Sequence, residues 1–314
     1  MKAVIINQYG SVDVLQYADV AKPQIKPHQL LVKVHASNVN PVDWKIRKGM
    51  LRVLTGNKFP MILGLDVAGE VVEVGSQVTG FQVGDEIFGS TDLFGGAYAE
   101  YAAVSQKWAA HKPANISYVE AAAIPGSGVT ALQALRDQGN IQPGQAVLIN
   151  GAAGGVGHFA VQIAKAFGTE VTGVCSTQKL DFVQSLGADF VIDYQQEDFT
   201  TSNKQYDIIF DAVGKKSFSN CQQVLKSNGV YISTLPALDL FIQIGLTTFL
   251  PGKKAKFVID NPTTANLDFI KNLIEAGKLR VMIDRTYPLQ EIAAAHTYSE
   301  NERATGKIGI TVIS

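Results

Sequence analysis

The run Val147-Leu148-Ile149-Asn150-Gly151-Ala152-Ala153-Gly154-Gly155-Val156-Gly157-His158 decides how the rest of the chain is read. Three apolar residues lead into a glycine-rich turn, after which Val156, Phe159, Ala160, Ile163 and Phe167 recur at helical spacing. Strand, tight glycine turn and helix in that order make a phosphate cradle. Glycines let backbone N–H groups approach a pyrophosphate, and the helix start offers it partial positive charge. The strict G-x-G-x-x-G spacing is not met at its second glycine, where Ala153 stands between Gly151 and Gly157. A lone glycine run reads equally well as a tight loop. The strand before it, the helix after it and the alternation beyond favour a dinucleotide site, with Gly151, Ala153, Gly154, Gly155 and Val156 as candidate contacts.

Working outward, strands at 171–175, 190–192, 208–210, 230–232 and 256–259 alternate with helical stretches such as 179–186 and 267–276. Near-continuous apolar strands between amphipathic helices predict a parallel, doubly wound sheet and an α/β class. Upstream, from residue 1 to about 120, short apolar strands (30–36, 67–75, 82–89) are separated by Gly, Pro and Asn turns, which predicts a small β-rich barrel or sandwich. Helices are expected over 129–138 and 292–298, and a last strand over 308–313. The segment 237–252 is unusually apolar for a connection; it suits a substrate entrance, an oligomer interface or a buried helix.

The chain has 314 residues, 46% hydrophobic and 18% charged, and this suits a two-domain globular protein. A net charge of −1 with no block of like charge argues against a nucleic-acid or anionic-membrane partner. No apolar run has transmembrane length, and the N-terminal one is too short for a signal segment, so a cytoplasmic protein is expected. Cys175 and Cys221 lie far apart with no CxxC partner and no neighbouring histidine, so no metal is expected.

The strand after the glycine turn ends in Ser176-Thr177-Gln178-Lys179, with no acidic residue at its tip to hold an NAD ribose. Two hydroxyls and an ammonium suit a 2′-phosphate, which a carboxylate would repel. NADPH is therefore the expected cofactor, held by Ser176, Thr177 and Lys179, although Ser176 or Thr177 also suits a helix N-cap. Ser233, Thr234 and Leu235 follow a strand whose C-terminal end should face the nicotinamide, and Val213 follows the strand at 208–210.

The ordered set of Asn40-Pro41-Val42-Asp43, Gly64-Leu65-Asp66-Val67-Ala68-Gly69-Glu70-Val71, the Gly151 to Gly157 turn, Ser176 to Lys179, Leu186-Gly187-Ala188-Asp189 and Arg303-Ala304-Thr305-Gly306-Lys307 spans essentially the whole chain. It resembles the zinc-free quinone oxidoreductase branch of the medium-chain dehydrogenase/reductases, including the plant enone and alkenal reductases. The resemblance implies a GroES-like catalytic domain (1–122 and 264–314) and a Rossmann domain (123–263), and a homodimer. Zinc-dependent relatives carry a cysteine near the Asn40 position and Gly-His-Glu in place of Gly64-Leu65-Asp66; this chain has neither, so metal-polarised alcohol dehydrogenation is not expected.

What remains is hydride delivery to an acceptor that is already electrophilic, a quinone or a conjugated carbonyl compound. The resemblance places Asn40 and Asp43 near the nicotinamide, where Asn40 can donate its amide to the carbonyl oxygen. Asp43 admits two readings, since an ionised carboxylate opposes an oxyanion and Asn-Pro-x-Asp is also strong turn chemistry. Trp44 suits the wall of an aromatic acceptor or plain packing. By the same resemblance Tyr194 contacts the adenosine phosphate, and Ser127 and Thr130 lie near the nicotinamide or its phosphates. Lys307 reaches a phosphate or closes a turn. None of the five histidines has a partner at suggestive spacing, and a solvent-derived proton fits best. The competing readings are an enone or alkenal double-bond reductase, an NADPH-binding regulatory or structural protein with little turnover, and a zinc alcohol dehydrogenase.

Overall fold

A computed structural model describes residues 1–312, in two compact units. The first comprises Met1–Gly126, Pro262–Glu275 and the chain from Val281 onward. Its backbone is the strand Gln29–Val39, apolar through most of its eleven residues and buried on both faces over much of its length. Three partners explain that burial. Gln29–Val39 pairs antiparallel with Asp66–Val74, Tyr101–Ser105 and Lys307–Thr311, and register shifts in the first pairing let the sheet curl. The full sheet runs Ile283–Pro288, Lys307–Thr311, Gln29–Val39, Asp66–Val74, Glu86–Ser90, Ala109–His111. A three-stranded sheet (Gln16–Asp19, Lys2–Ile6, Met61–Ile62) accompanies it.

The last strand was expected at 308–313. It spans Lys307–Thr311, and Ile313 lies outside the described residues. Where it would pair could not be read from periodicity. The structure seats it on the N-terminal strand Gln29–Val39, with Ile308 opposite Val39 and Thr311 opposite Ala36.

The second unit, Ser127–Asn261 with Ala276–Arg280, is built on a six-stranded, all-parallel sheet. The strand order is Phe190–Asp193, Glu170–Cys175, Ala146–Asn150, Tyr206–Asp211, Leu225–Ser233, Lys254–Phe257. The central strands bury Leu148, Ile149, Val174, Ile209 and Phe210 completely, which is why they read as unbroken apolar runs. The helix after the glycine turn spans Gly157–Ala166, and its first eight residues are buried.

Two local readings change. The helix expected over 129–138 begins earlier, at Pro125, and its last turn, Gln133–Gln138, is wound as a π-helix. The apolar 237–252 segment holds a helix, Leu238–Phe249, but a buried helix it is not. Only Leu240 is buried there, while Leu238, Phe241, Ile242, Leu246 and Phe249 are exposed. Among the described residues no helix is long and apolar enough to cross a membrane.

Candidate active site

In the second unit the parallel sheet does the gathering. Adjacent parallel strands end level with one another, so residues just past their carboxyl ends share one edge of the sheet. Gly151 follows the strand ending at Asn150, Ser176 the strand ending at Cys175, Tyr194 the strand ending at Asp193, Val213 the strand ending at Asp211, and Thr234 the strand ending at Ser233. The cofactor candidates of this unit past residue 150 thus fall along five consecutive strand ends. The order reverses between Ala146–Asn150 and Tyr206–Asp211, the switch point at which open α/β sheets bind ligands. Ser127 and Thr130 lie on the helix Pro125–Leu132, ahead of the first of these strands.

The glycine turn fits a pyrophosphate. Gly151 has φ +80°, and a β-carbon there would meet Val213 at 2.3 Å. At Gly157 a β-carbon would meet the Gly151 carbonyl oxygen at 2.1 Å, so the helix packs against the turn only because the side chain is absent. Gly154 is different: a β-carbon there meets nothing nearer than 3.4 Å. The turn is tied by Gly154 N–H to Gly151 O and His158 N–H to Gly154 O. None of the turn's backbone bonds among the described residues uses the N–H groups of Gly155, Val156 or Gly157. Those amides stand at the start of a ten-residue helix, where unused N–H groups can receive an anion.

An unanticipated residue shapes the neighbouring loop. Asp211, fully buried, accepts from Asn150 Nδ2 (2.9 Å), from the backbone N–H groups of Val213 (3.1 Å), Gly214 (2.9 Å) and Lys216 (2.9 Å), and from Tyr231 Oη (3.1 Å). It sets the path of the loop that brings Val213 against Gly151. Tyr231 Oη also has the Lys216 carbonyl at 2.6 Å, but the other four donors would be left without this acceptor, and that is costly. Asp211→Ala should lower stability by about 3 kcal/mol or more in urea denaturation.

At the next strand end Ser176 is half-buried and makes no side-chain cap bond. Thr177 is less available than the sequence suggests, because its hydroxyl donates to Asp193, whose carboxyl is thereby held below the usual range. Asp193 ends the adjacent strand, so an acidic group does stand beside this corner. Sequence spacing hid it, for only the parallel pairing of Cys175 with Asp193 places the two side by side. Tyr194 is exposed. Thr234 donates to the Ala212 carbonyl, Ser233 is buried with its hydroxyl accepting from Leu235 N–H, and the Leu235 side chain lies against Gly214.

In the first unit Asn40 precedes the helix Pro41–Arg47 and enters a buried polar cluster. Its Nδ2 donates to Asp66 Oδ2 (2.8 Å), and its Oδ1 accepts from Lys307 Nζ (2.6 Å). Asp66 also accepts from Asn38 Nδ2 (3.0 Å), Ser90 Oγ (2.6 Å) and Gly126 N–H (3.2 Å). Asp43 is wholly buried. Its Oδ2 accepts from Asn40 N–H (2.7 Å) and Tyr98 Oη (3.0 Å), whereas Oδ1 has no hydrogen-bond partner among the described residues. Burial pushes the Asp43 carboxyl up to about 7, with Asp66 adding to the shift and the Asn40, Tyr98 and Lys307 contacts opposing it. Burial pulls the Lys307 ammonium down to about 8 against the attraction of Asp66 and Asp43.

Lys307 is therefore placed differently from the phosphate contact or turn closure considered above: its amine is committed to Asn40, 267 residues away in sequence. Both turn chemistry and a polar site describe Asp43, since the carboxylate that caps the helix also borders Asn40. Trp44 is partly buried with Lys45 and Lys48 over its ring, and its indole N–H is buried without a partner among the described residues. Among the described residues no three His, Cys, Asp or Glu side chains converge as a metal site, and the two buried cysteines have thiols raised by burial, to about 11 and about 12.

Family models match in both units: an alcohol dehydrogenase GroES-like domain over residues 26–114, and a zinc-binding dehydrogenase over 186–309. The chain is 37% identical to the Arabidopsis thaliana chloroplast envelope quinone oxidoreductase homolog, across 98% of this chain and 97% of that protein. It is also 37% identical to the A. thaliana chloroplastic NADPH-dependent alkenal/one oxidoreductase, across 98% of this chain and 78% of that one. Among solved structures, the quinone oxidoreductase from Coxiella burnetii superposes with a TM-score of 0.92 at 34% identity, covering 100% of this chain and 99% of the other. The chain belongs to the quinone and enone oxidoreductase branch of the medium-chain dehydrogenase/reductase superfamily.

Proposed function

We propose that the protein transfers a hydride from NADPH to a quinone or an α,β-unsaturated carbonyl compound. One observation carries this reading: five consecutive parallel strand ends converge on a glycine turn whose helix-start amides are unused, in a chain of this family. When bound, the dihydronicotinamide supplies the hydride. The free amides of Gly155 and Val156 hold the pyrophosphate, while Ser176 and Lys179 hold the 2′-phosphate. Ser127, Thr130, Tyr194, Val213, Thr234 and Leu235 line the remaining cofactor path. Asn40 keeps one amide hydrogen beyond its bond to Asp66, and that hydrogen supports the acceptor's developing oxyanion, with the Lys307 ammonium behind it. Asp43 acts through Asn40, and the proton that completes the product comes from solvent.

The test is NADPH consumption by purified protein with a para-quinone and a short enone in parallel, each repeated with NADH. Efficient turnover of either acceptor supports the reading, and the preferred one names the enzyme as quinone or double-bond reductase. Tight NADPH binding with no turnover of any acceptor sinks it in favour of a binding protein. Cofactor choice has its own check. Lys179→Ala should lower kcat/KM with NADPH about tenfold and leave NADH unchanged, the loss of one charge-assisted bond to phosphate. Asp193→Asn should raise the NADPH preference, because its carboxylate opposes the 2′-phosphate. The exposed apolar helix Leu238–Phe249 beside the open edge strand Lys254–Phe257 favours a homodimer, which sedimentation at micromolar concentration checks.

A further inference from the structure

Behind the Asn40 cluster an arginine, a histidine and a tyrosine are completely buried: Arg47, His296 and Tyr98. They come from the helix Pro41–Arg47, the helix Ile292–Glu300 and the segment ahead of the strand Tyr101–Ser105, and they form a line. Arg47 Nη1 lies 3.1 Å from His296 Nδ1, His296 Nε2 lies 3.3 Å from Tyr98 Oη, and Tyr98 Oη lies 3.0 Å from Asp43 Oδ2. At its outer end Arg47 is ion-paired with Glu300, which also binds Lys48.

The protons on this line have one arrangement. A guanidinium only donates, so His296 Nδ1 must accept, and the ring proton resides on Nε2. Burial and the adjacent Arg47 push the imidazole down to about 3, which keeps it neutral. Nε2–H then donates to the Tyr98 oxygen, and the phenol proton is left for Asp43 Oδ2. The alternative acceptor, the Asn38 carbonyl, is farther, at 3.3 Å. Burial and Asp43 push the phenol's own ionisation well up, so it stays a donor. Every donor in the line points toward Asp43, and donors to a carboxylate favour its charged form.

We propose that Tyr98 and His296 are positioning residues of the reaction centre: the Arg47–His296–Tyr98 line delivers a fixed donor to Asp43 Oδ2 and so favours the ionised form of that buried carboxyl beside Asn40 and Lys307. The charged and titratable groups bearing on Asp43 are Tyr98, Asp66 and Lys307, with His296 and Arg47 one step behind the phenol. An ionised Asp43 helps keep Lys307 an ammonium, and Lys307 holds Asn40 by its carbonyl, which aims the amide. The inference rests on the reading that the Asn40 cluster serves the reaction.

Infrared spectroscopy of the whole, cofactor-free protein tests it without turnover. The stretching band of protonated Asp43, identified by its loss in Asp43→Asn, is followed against pH. Tyr98→Phe keeps the ring and removes the donor; the midpoint should rise by about one to two units, as expected for losing one hydrogen bond to a charged acceptor. His296→Leu should shift it the same way by less. His296→Gln, whose carbonyl can accept from Arg47 and whose amide can donate to Tyr98, should return it toward the parent value. The acid limb of kcat should move with the band while KM for NADPH stays unchanged. A band unmoved in both Tyr98→Phe and His296→Leu overturns the proposal, whatever the activity. A moved band with an unmoved kcat profile removes the line from the reaction centre and overturns it too. If the band moves but the parent protein turns over no quinone or enone, the hold on Asp43 stands and the proposed function is what fails.

Discussion

Gly157→Ala is expected to raise the dissociation constant for NADPH by about tenfold to a hundredfold, and to lower thermal stability with it. A β-carbon at this position would sit 2.1 Å from the Gly151 carbonyl oxygen and 2.8 Å from the Ala152 Cα, both backbone atoms that no rotamer change can move aside. Either the helix Gly157–Ala166 withdraws or the turn opens, and overpacking of that kind costs about 1–3 kcal/mol. The same displacement spoils the alignment of the Gly155 and Val156 amides, so affinity falls in proportion. Gly154→Ala separates the two effects. Its β-carbon meets only the Gly151 oxygen, at 3.4 Å, so the fold should be nearly indifferent while a closely seated pyrophosphate is pushed away. Fluorescence titration with NADPH, paired with thermal melts, reads both variants. Unchanged affinity in Gly154→Ala would remove the phosphate from this turn.

Lys307→Met should cost about 3–5 kcal/mol, the price of leaving buried carboxylates without their ammonium. The expected pH dependence follows from the two shifted groups. Below about 7 Asp43 takes up a proton and needs the counter-charge less; above about 8 the parent protein's own Lys307 loses its proton. The difference between parent and variant should therefore be smallest below about pH 7, where Asp43 is neutral in both, and should grow as the pH rises through 7 and beyond 8. The variant's Asp43 lacks its counter-charge, while the folded parent sheds the strained Lys307 proton that its unfolded chain still holds. Lys307→Met/Asp43→Asn should recover part of the loss, because the amide keeps an oxygen for Asn40 N–H and Tyr98 Oη while shedding the charge. Urea denaturation at several pH values measures all of this. A pH-independent cost of the single variant would mean that Lys307 contributes packing and not charge.

These two sites stand at opposite ends of what a reader of the sequence can see. The glycine turn was legible because its signals are contiguous: three apolar residues, the glycines that spare Gly151 and Gly157 a clash, and a helical repeat beginning at Val156. The parallel sheet was legible for a related reason, since strands covered on both faces cannot alternate polar with apolar. Lys307 carried no such signal. A lysine after a glycine near a chain end is ordinary turn chemistry until the strand Lys307–Thr311 is laid beside Gln29–Val39 and its amine reaches Asn40.

The same division runs through the rest of the molecule. Sequence alone determined the α/β class, the β-rich first part and the order strand, glycine turn, helix at 147–167, because each depends on a local period or a local turn. Tertiary structure alone decided that Asp193 stands beside Thr177, that Asp211 organises five donors, and that Arg47, His296 and Tyr98 line up behind Asp43. It also left the apolar face of Leu238–Phe249 in solvent, where hydrophobicity by itself suggested burial as readily. The physical reason is common to the three hydrogen-bonded arrangements. Burial patterns are written along the chain every two or three to four residues, whereas a hydrogen bond between residues 250 positions apart exists only once the packing of strands and helices has brought its donor and acceptor within about 3 Å.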